Sequence, residues 1–132
     1  MTLSAIILLV LLLFFVQLFL QEGAHHSFNM RSMLGNRDAL PEKSVVAGRL
    51  DRAKCNMQEA LPLFLGLALL TLVTTGETRE GVLGACVFLI ARIAYVPAYA
   101  SGIRNLRSIF WLIAKIGLAI MALPLIRASG LI

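Results

Sequence analysis

This sequence has very little charge. Only 14% of its 132 residues are Asp, Glu, Lys or Arg, against 59% that are hydrophobic, and the mean hydropathy is +0.87. A soluble domain of this length has no interior large enough to hide that much apolar surface. Cysteine is scarce as well: there are two, Cys55 and Cys86, and neither has a metal-ligating neighbour in sequence. A disulfide framework and a thiolate metal site are therefore not expected. The chain also lacks internal repeats and low-complexity tracts, so solenoid and linker architectures drop out.

What the sequence does have is long apolar runs with the polar residues gathered between them. Four runs, at about 3–20, 57–75, 82–100 and 109–126, are each long enough to cross a bilayer once a turn is borrowed from the flanks. The expected protein is an all-α, integral membrane four-helix bundle forming one domain over residues 1–132, with helices at about 3–33, 46–75, 82–100 and 107–128. The first run has no basic segment before it and no small-x-small cleavage pattern after it, so it reads as a retained helix and not as a signal peptide. It is expected to continue to about Met33, ahead of the turn-forming segment "GNRDALPEKS".

Basic residues set the orientation. The segment 21–55 carries Arg31, Arg37, Lys43, Arg49, Arg52 and Lys54, and the segment 101–108 carries Arg104 and Arg107; the segment between them, 76–81, has Arg79 beside Glu77 and Glu80. The positive-inside rule then places the first and third loops in the cytoplasm and both termini outside it. The net charge of +5 is mostly this asymmetry, facing anionic lipid, and calls for no nucleic-acid partner. In this topology the two cysteines lie roughly 20 Å apart along the membrane normal, out of disulfide reach. His25 and His26 are adjacent, so they point about 100° apart on a helix and make no facing pair of metal ligands. Pro62, Pro97 and Pro124 fall inside the spans; Pro62 and Pro97, toward the cytoplasmic side, either kink helices open near the charged residues or merely curve them.

A few polar residues lie at membrane depth, where they are costly and face a bundle interior or a wet cavity. Lys115 can snorkel to the interface and is assigned no role. The others form two stripes. Arg52, Asn56 and Glu59, spaced i, i+4, i+7, fall within a sector of about 60° on the second helix. Arg92, Tyr95 and Tyr99, spaced i, i+3, i+7, share a face of the third. Two readings are open. One is a buried Glu59–Arg92 ion pair with the rest as interhelical contacts. The other is a binding site: Arg52, Arg92, Arg104 and Arg107 converge where there is one carboxylate, which suits a small anionic ligand with some cationic character.

The segment "RAKCNMQEALPLF" matches the pattern R-A-x-x-N-x-x-E-x-x-P of the MAPEG family, the membrane-associated proteins in eicosanoid and glutathione metabolism. The segment "ARIAYVPAYASGIRNLRS" resembles that family's third-helix signature, R-x-x-Y-x-x-x-Y followed by an arginine. By architecture the resemblance covers nearly the whole chain, and by motif about residues 48–108. It implies a homotrimer with glutathione bound between subunits near the cytoplasmic face. Carried over by position, it makes Arg52, Asn56, Glu59, Arg92, Tyr95 and Tyr99 glutathione contacts. It makes Arg107 the thiolate-stabilising arginine just ahead of the fourth helix, with Arg104 as the alternative. Ala60 stands where the eicosanoid synthases place a tyrosine, and Lys54 where one branch has a glutamine. The chain therefore resembles a bacterial-type microsomal glutathione S-transferase, expected in a bacterial inner membrane. The activity so implied is glutathione-dependent transfer or peroxide reduction on a lipophilic substrate drawn from membrane lipid. Two other readings are a non-catalytic protein of the same fold that binds lipid or a partner, and a small transporter using Glu59 as a proton-coupled cation site.

Overall fold

The computed structural model describes residues 1–30, 34 and 44–130. Four long helices account for most of them: α1 Leu3–His25, α2 Val45–Thr74, α3 Arg79–Ser101 and α4 Arg104–Ala128. All four are long and apolar enough to cross a membrane. Together with the wide belt of exposed Leu, Ile, Val and Phe side chains, this makes the protein an integral, multi-pass membrane bundle.

Local chemistry sets the ends of the helices. Thr2, Ser44 and Thr78 each accept a hydrogen bond from the backbone N–H three residues on, the usual N-cap arrangement. Leu3 N–H also donates to the Glu77 carboxylate at 2.7 Å, so the α2–α3 turn holds the positive end of α1. At the other face of the bundle, α3 closes on Gly102, which has φ +79°. Arg49 donates to the free carbonyl of Ala100 at 3.0 Å there. A β-carbon on Gly102 would meet that guanidinium at 2.5 Å.

Three boundaries differ from expectation. α3 starts at Arg79 instead of about 82, because Thr78 caps it there. α1 stops at His25 instead of continuing to about Met33, because Ser27 and Phe28 both take positive φ. Phe28 folds back, its N–H bonding Gly23 O at 2.7 Å. Residues 31–33 and 35–43, with Arg31, Arg37, Lys43 and most of the expected turn, lie outside the described residues. α4 starts at Arg104, three residues earlier than expected, because the left-handed Gly102 reverses the chain and only Ile103 is needed as N-cap. Both Arg104 and Arg107 therefore lie on α4.

Size complementarity holds the bundle together. Phe64 of α2 and Phe88 of α3 stack with ring centroids 4.6 Å apart. α3 and α4 meet at Gly84 and Gly117, where a β-carbon on either would come within 2.8 Å of the other helix's backbone. Without a hydrophobic drive between helices in lipid, such close approach is what dispersion forces need. Pro62, Pro97 and Pro124 lie within continuous helices, and Pro62 and Pro97 face outward.

Candidate functional site

α2 and α3 bring their two stripes together near the loop end that carries Arg49 and Gly102. Arg92 is the centre of this region. It is 1% exposed and donates from Nη1 to Asn56 Oδ1 at 2.6 Å. Its guanidinium also packs on the rings of Phe88 and Tyr95, at 5.2 and 5.5 Å. The Glu59–Arg92 ion pair is not formed. Glu59 lies exposed on the outside of the bundle and makes no ion pair among the described residues. One turn separates Asn56 from Glu59, and the rotation of α2 against α3 turns the amide inward. The other two nitrogens of Arg92, Nε and Nη2, are buried and meet no acceptor among the described residues. A buried cation with unmet donors is costly, so a ligand acceptor there would be strongly favoured.

Tyr99 forms a second centre. Tyr95 and Tyr99 meet edge to face with centroids 5.4 Å apart. The guanidinium of Arg107 lies 5.1 Å from the Tyr99 ring and donates to its hydroxyl at 3.3 Å; that of Arg52 lies 5.9 Å from the same ring. Ala53 and Phe110 pack behind the tyrosines. Arg104 is exposed and is not drawn into this cluster. Of the two arginines expected near a thiol, the fold thus brings Arg107 alone to the tyrosines.

Between Tyr95 and Tyr99 on α3 and Arg107, Ser108 and Trp111 on α4 lies a cleft of about 240 Å³. No carboxylate among the described residues lines it. It opens on the outer surface of the bundle, as do the exposed Arg52 and Glu59. Such a cleft can grip an anion with guanidinium groups and offer hydroxyls to an atom developing negative charge.

Sequence reasoning missed Ser108, Trp111 and Arg49. Trp111 follows Arg107 by four residues, so helical spacing alone could have found it. Arg49 carries no such signal. Its role depends on α2 passing the end of α3, a purely tertiary contact.

No curated protein matches the chain by sequence. A model of the MAPEG family matches residues 1–127. The chain therefore belongs to the MAPEG family, the membrane proteins of eicosanoid and glutathione metabolism.

Proposed function

With MAPEG membership as the premise, we propose that the protein is a glutathione-dependent transferase or peroxidase acting on lipophilic electrophiles at the membrane. The observation that carries this reading is the pairing of Tyr99 with Arg107, in a cleft lined by cation and hydroxyl and, among the described residues, by no carboxylate. The residues fit the tripeptide's chemistry. Arg52 and the unmet nitrogens of Arg92 suit its carboxylates, and Asn56 and Glu59 can accept from its ammonium. Bound glutathione would supply a thiol. The work of Arg107 is to favour the thiolate over the thiol, while Tyr95 and Tyr99 orient the sulfur toward a lipophile entering from the bilayer side.

The size of this effect is bounded. A free thiol with pKa about 8.5 is about 3% ionised at neutral pH, and about 90% ionised once the pKa falls to about 6. Ionisation therefore contributes up to about thirtyfold, less the nucleophilicity lost with basicity. Positioning in the cleft must supply the rest.

We place the site at a boundary between copies in a homotrimer, because the cleft, Arg52 and Glu59 all open outward. We orient the loop end that carries Arg49 and Arg107 toward the cytoplasm of a bacterial cell, with both termini outside. A transport role centred on Glu59 has less support, since that carboxylate lies on the outside of the bundle.

Calorimetric titration of the detergent-purified protein with glutathione, followed by the ultraviolet absorbance of a thiolate, tests the proposal. Binding accompanied by the thiolate signal is expected. Binding without that signal would favour a non-catalytic protein of the same fold, and no binding would remove the glutathione reading altogether.

A further inference from the structure

The start of α4 is held differently from the starts of the other helices. Thr2, Ser44 and Thr78 cap α1, α2 and α3 with a side-chain oxygen, whereas Ile103, the N-cap of α4, has none to offer. Packing gives the turn little support, because residues 101–105 are all exposed. The backbone N–H bonds across it are at the long end of the range: Gly102 to Tyr99 O at 3.2 Å, Ile103 to Ser101 Oγ at 3.4 Å and Arg107 to Ile103 O at 3.3 Å. Yet this turn separates Tyr99, in the last turn of α3, from Arg107, in the first turn of α4, and these two residues are paired across it.

A residue of another helix supplies the hold. Arg49 of α2 donates from Nη1 to Ala100 O at 3.0 Å. A β-carbon on Gly102 would lie 2.5 Å from its Cζ and from both Nη atoms, so the guanidinium lies against the bare α-carbon of that glycine. Arg49 is half-buried and makes no ion pair among the described residues. Its charge faces the carbonyl end of α3, where the helix dipole favours a cation.

We propose that Arg49 is a positioning residue, a clamp on the α3–α4 turn that holds Arg107 against Tyr99. The clamped residues, Ala100 and Gly102, lie between that pair in sequence, so fixing them fixes the angle at which α4 leaves α3. Arg107 stands five residues past Gly102, about 7 Å along the helix, so a tilt of about 10° at the turn moves it by about 1 Å. That is enough to lose its 3.3 Å bond to the Tyr99 hydroxyl. Arg49 does not line the cleft, so it acts only through the turn. The consequence for a bound thiol rests on the transferase reading above; the hold on the turn does not. A merely structural role would lower the unfolding temperature and leave the ionisation of bound glutathione as it was.

Two measurements on the full-length protein in detergent test the clamp. The first uses no glutathione and follows amide hydrogen exchange by mass spectrometry. Arg49→Met should speed exchange at residues 107–110, the first hydrogen-bonded turn of α4, by about tenfold, while the amides around Gly117 keep their rate. The second titrates the thiolate absorbance of bound glutathione against pH. Arg49→Met should raise the midpoint by about one pH unit and leave glutathione affinity within about twofold. Gly102→Ala displaces the guanidinium but keeps its charge, so it should reproduce both changes; it decides alone if Arg49→Met does not fold. Unchanged exchange at residues 107–110 overturns the proposal. So does faster exchange with an unmoved thiolate midpoint, because Arg49 is then structural only. A midpoint that moves in Arg49→Met and not in Gly102→Ala also overturns it, because the charge of Arg49 and not its hold on the turn is then what acts. If the wild type binds no glutathione or forms no thiolate, faster exchange leaves the clamp standing and the transferase reading falls.

Discussion

The pair α3–α4 makes two different interfaces along its length. Toward the Thr78 end, Gly84 and Gly117 let the two backbones touch, and any β-carbon would have to push them apart. Toward the Gly102 end, Tyr95, Tyr99, Arg107 and Trp111 hold the same two helices apart around a cleft of about 240 Å³. One end is glued by the absence of side chains, and the other is propped open by large ones. Joining the tight contact to the cleft in one rigid pair lets a small membrane protein hold polar groups at depth without a deep interior.

The glycine contact should be the most fragile part of that contrast. Gly117→Val places branched carbon against Gly84 O and the Phe88 backbone, so overpacking of about 3 kcal/mol or more is expected. Thermal unfolding in detergent should show a large loss or no folded protein. An unchanged midpoint would mean that α3 and α4 do not touch there.

At the propped end the largest effect should come from Arg92. Removing the side chain leaves the half-buried Asn56 without its partner and takes away the unmet donors offered to the ligand. Arg92→Ala should weaken glutathione by about a hundredfold by calorimetry, or prevent folding. Arg92→Leu, which refills the apolar space, separates the two outcomes. If it folds and binds glutathione like the wild type, Arg92 is not part of the site.

Arg107 should affect rate more than affinity, because Arg52 and Arg92 remain to hold the carboxylates. Arg107→Ala is expected to lower turnover by about tenfold or more, with a smaller change in glutathione affinity and loss of the thiolate absorbance. Arg104→Ala should do much less, since that side chain is exposed and away from Tyr99. The reverse ranking of these two variants would move the reacting sulfur one turn along α4.

The smallest effect belongs to the Thr78 end, where Arg127 and Glu80 form an exposed ion pair at 3.2 Å. Arg127→Gln should leave both stability and activity unchanged within error, because exposed pairs are screened and entropically costly. A clear loss on thermal unfolding would show that the pair is covered in the assembled protein.

Much of this was legible beforehand. The four spans follow from length and composition. The stripes Arg52–Asn56–Glu59 and Arg92–Tyr95–Tyr99 follow from 100° per residue, a property of any α-helix. Sequence periodicity says which residues share a face, however, and not which way that face is turned. Rotation of each helix about its axis is settled by packing, here by Phe64 on Phe88 and Gly84 on Gly117. That rotation made Asn56 the partner of Arg92 and left Glu59 outside. A single left-handed glycine, Gly102, started α4 early enough to carry Arg107 to Tyr99 and leave Arg104 exposed. The sequence by itself determined a four-span membrane bundle with its polar residues in two stripes, because hydropathy and helical pitch are local. Only the tertiary structure decided which stripe members meet and where the cleft opens, because those depend on contacts between residues far apart in the chain.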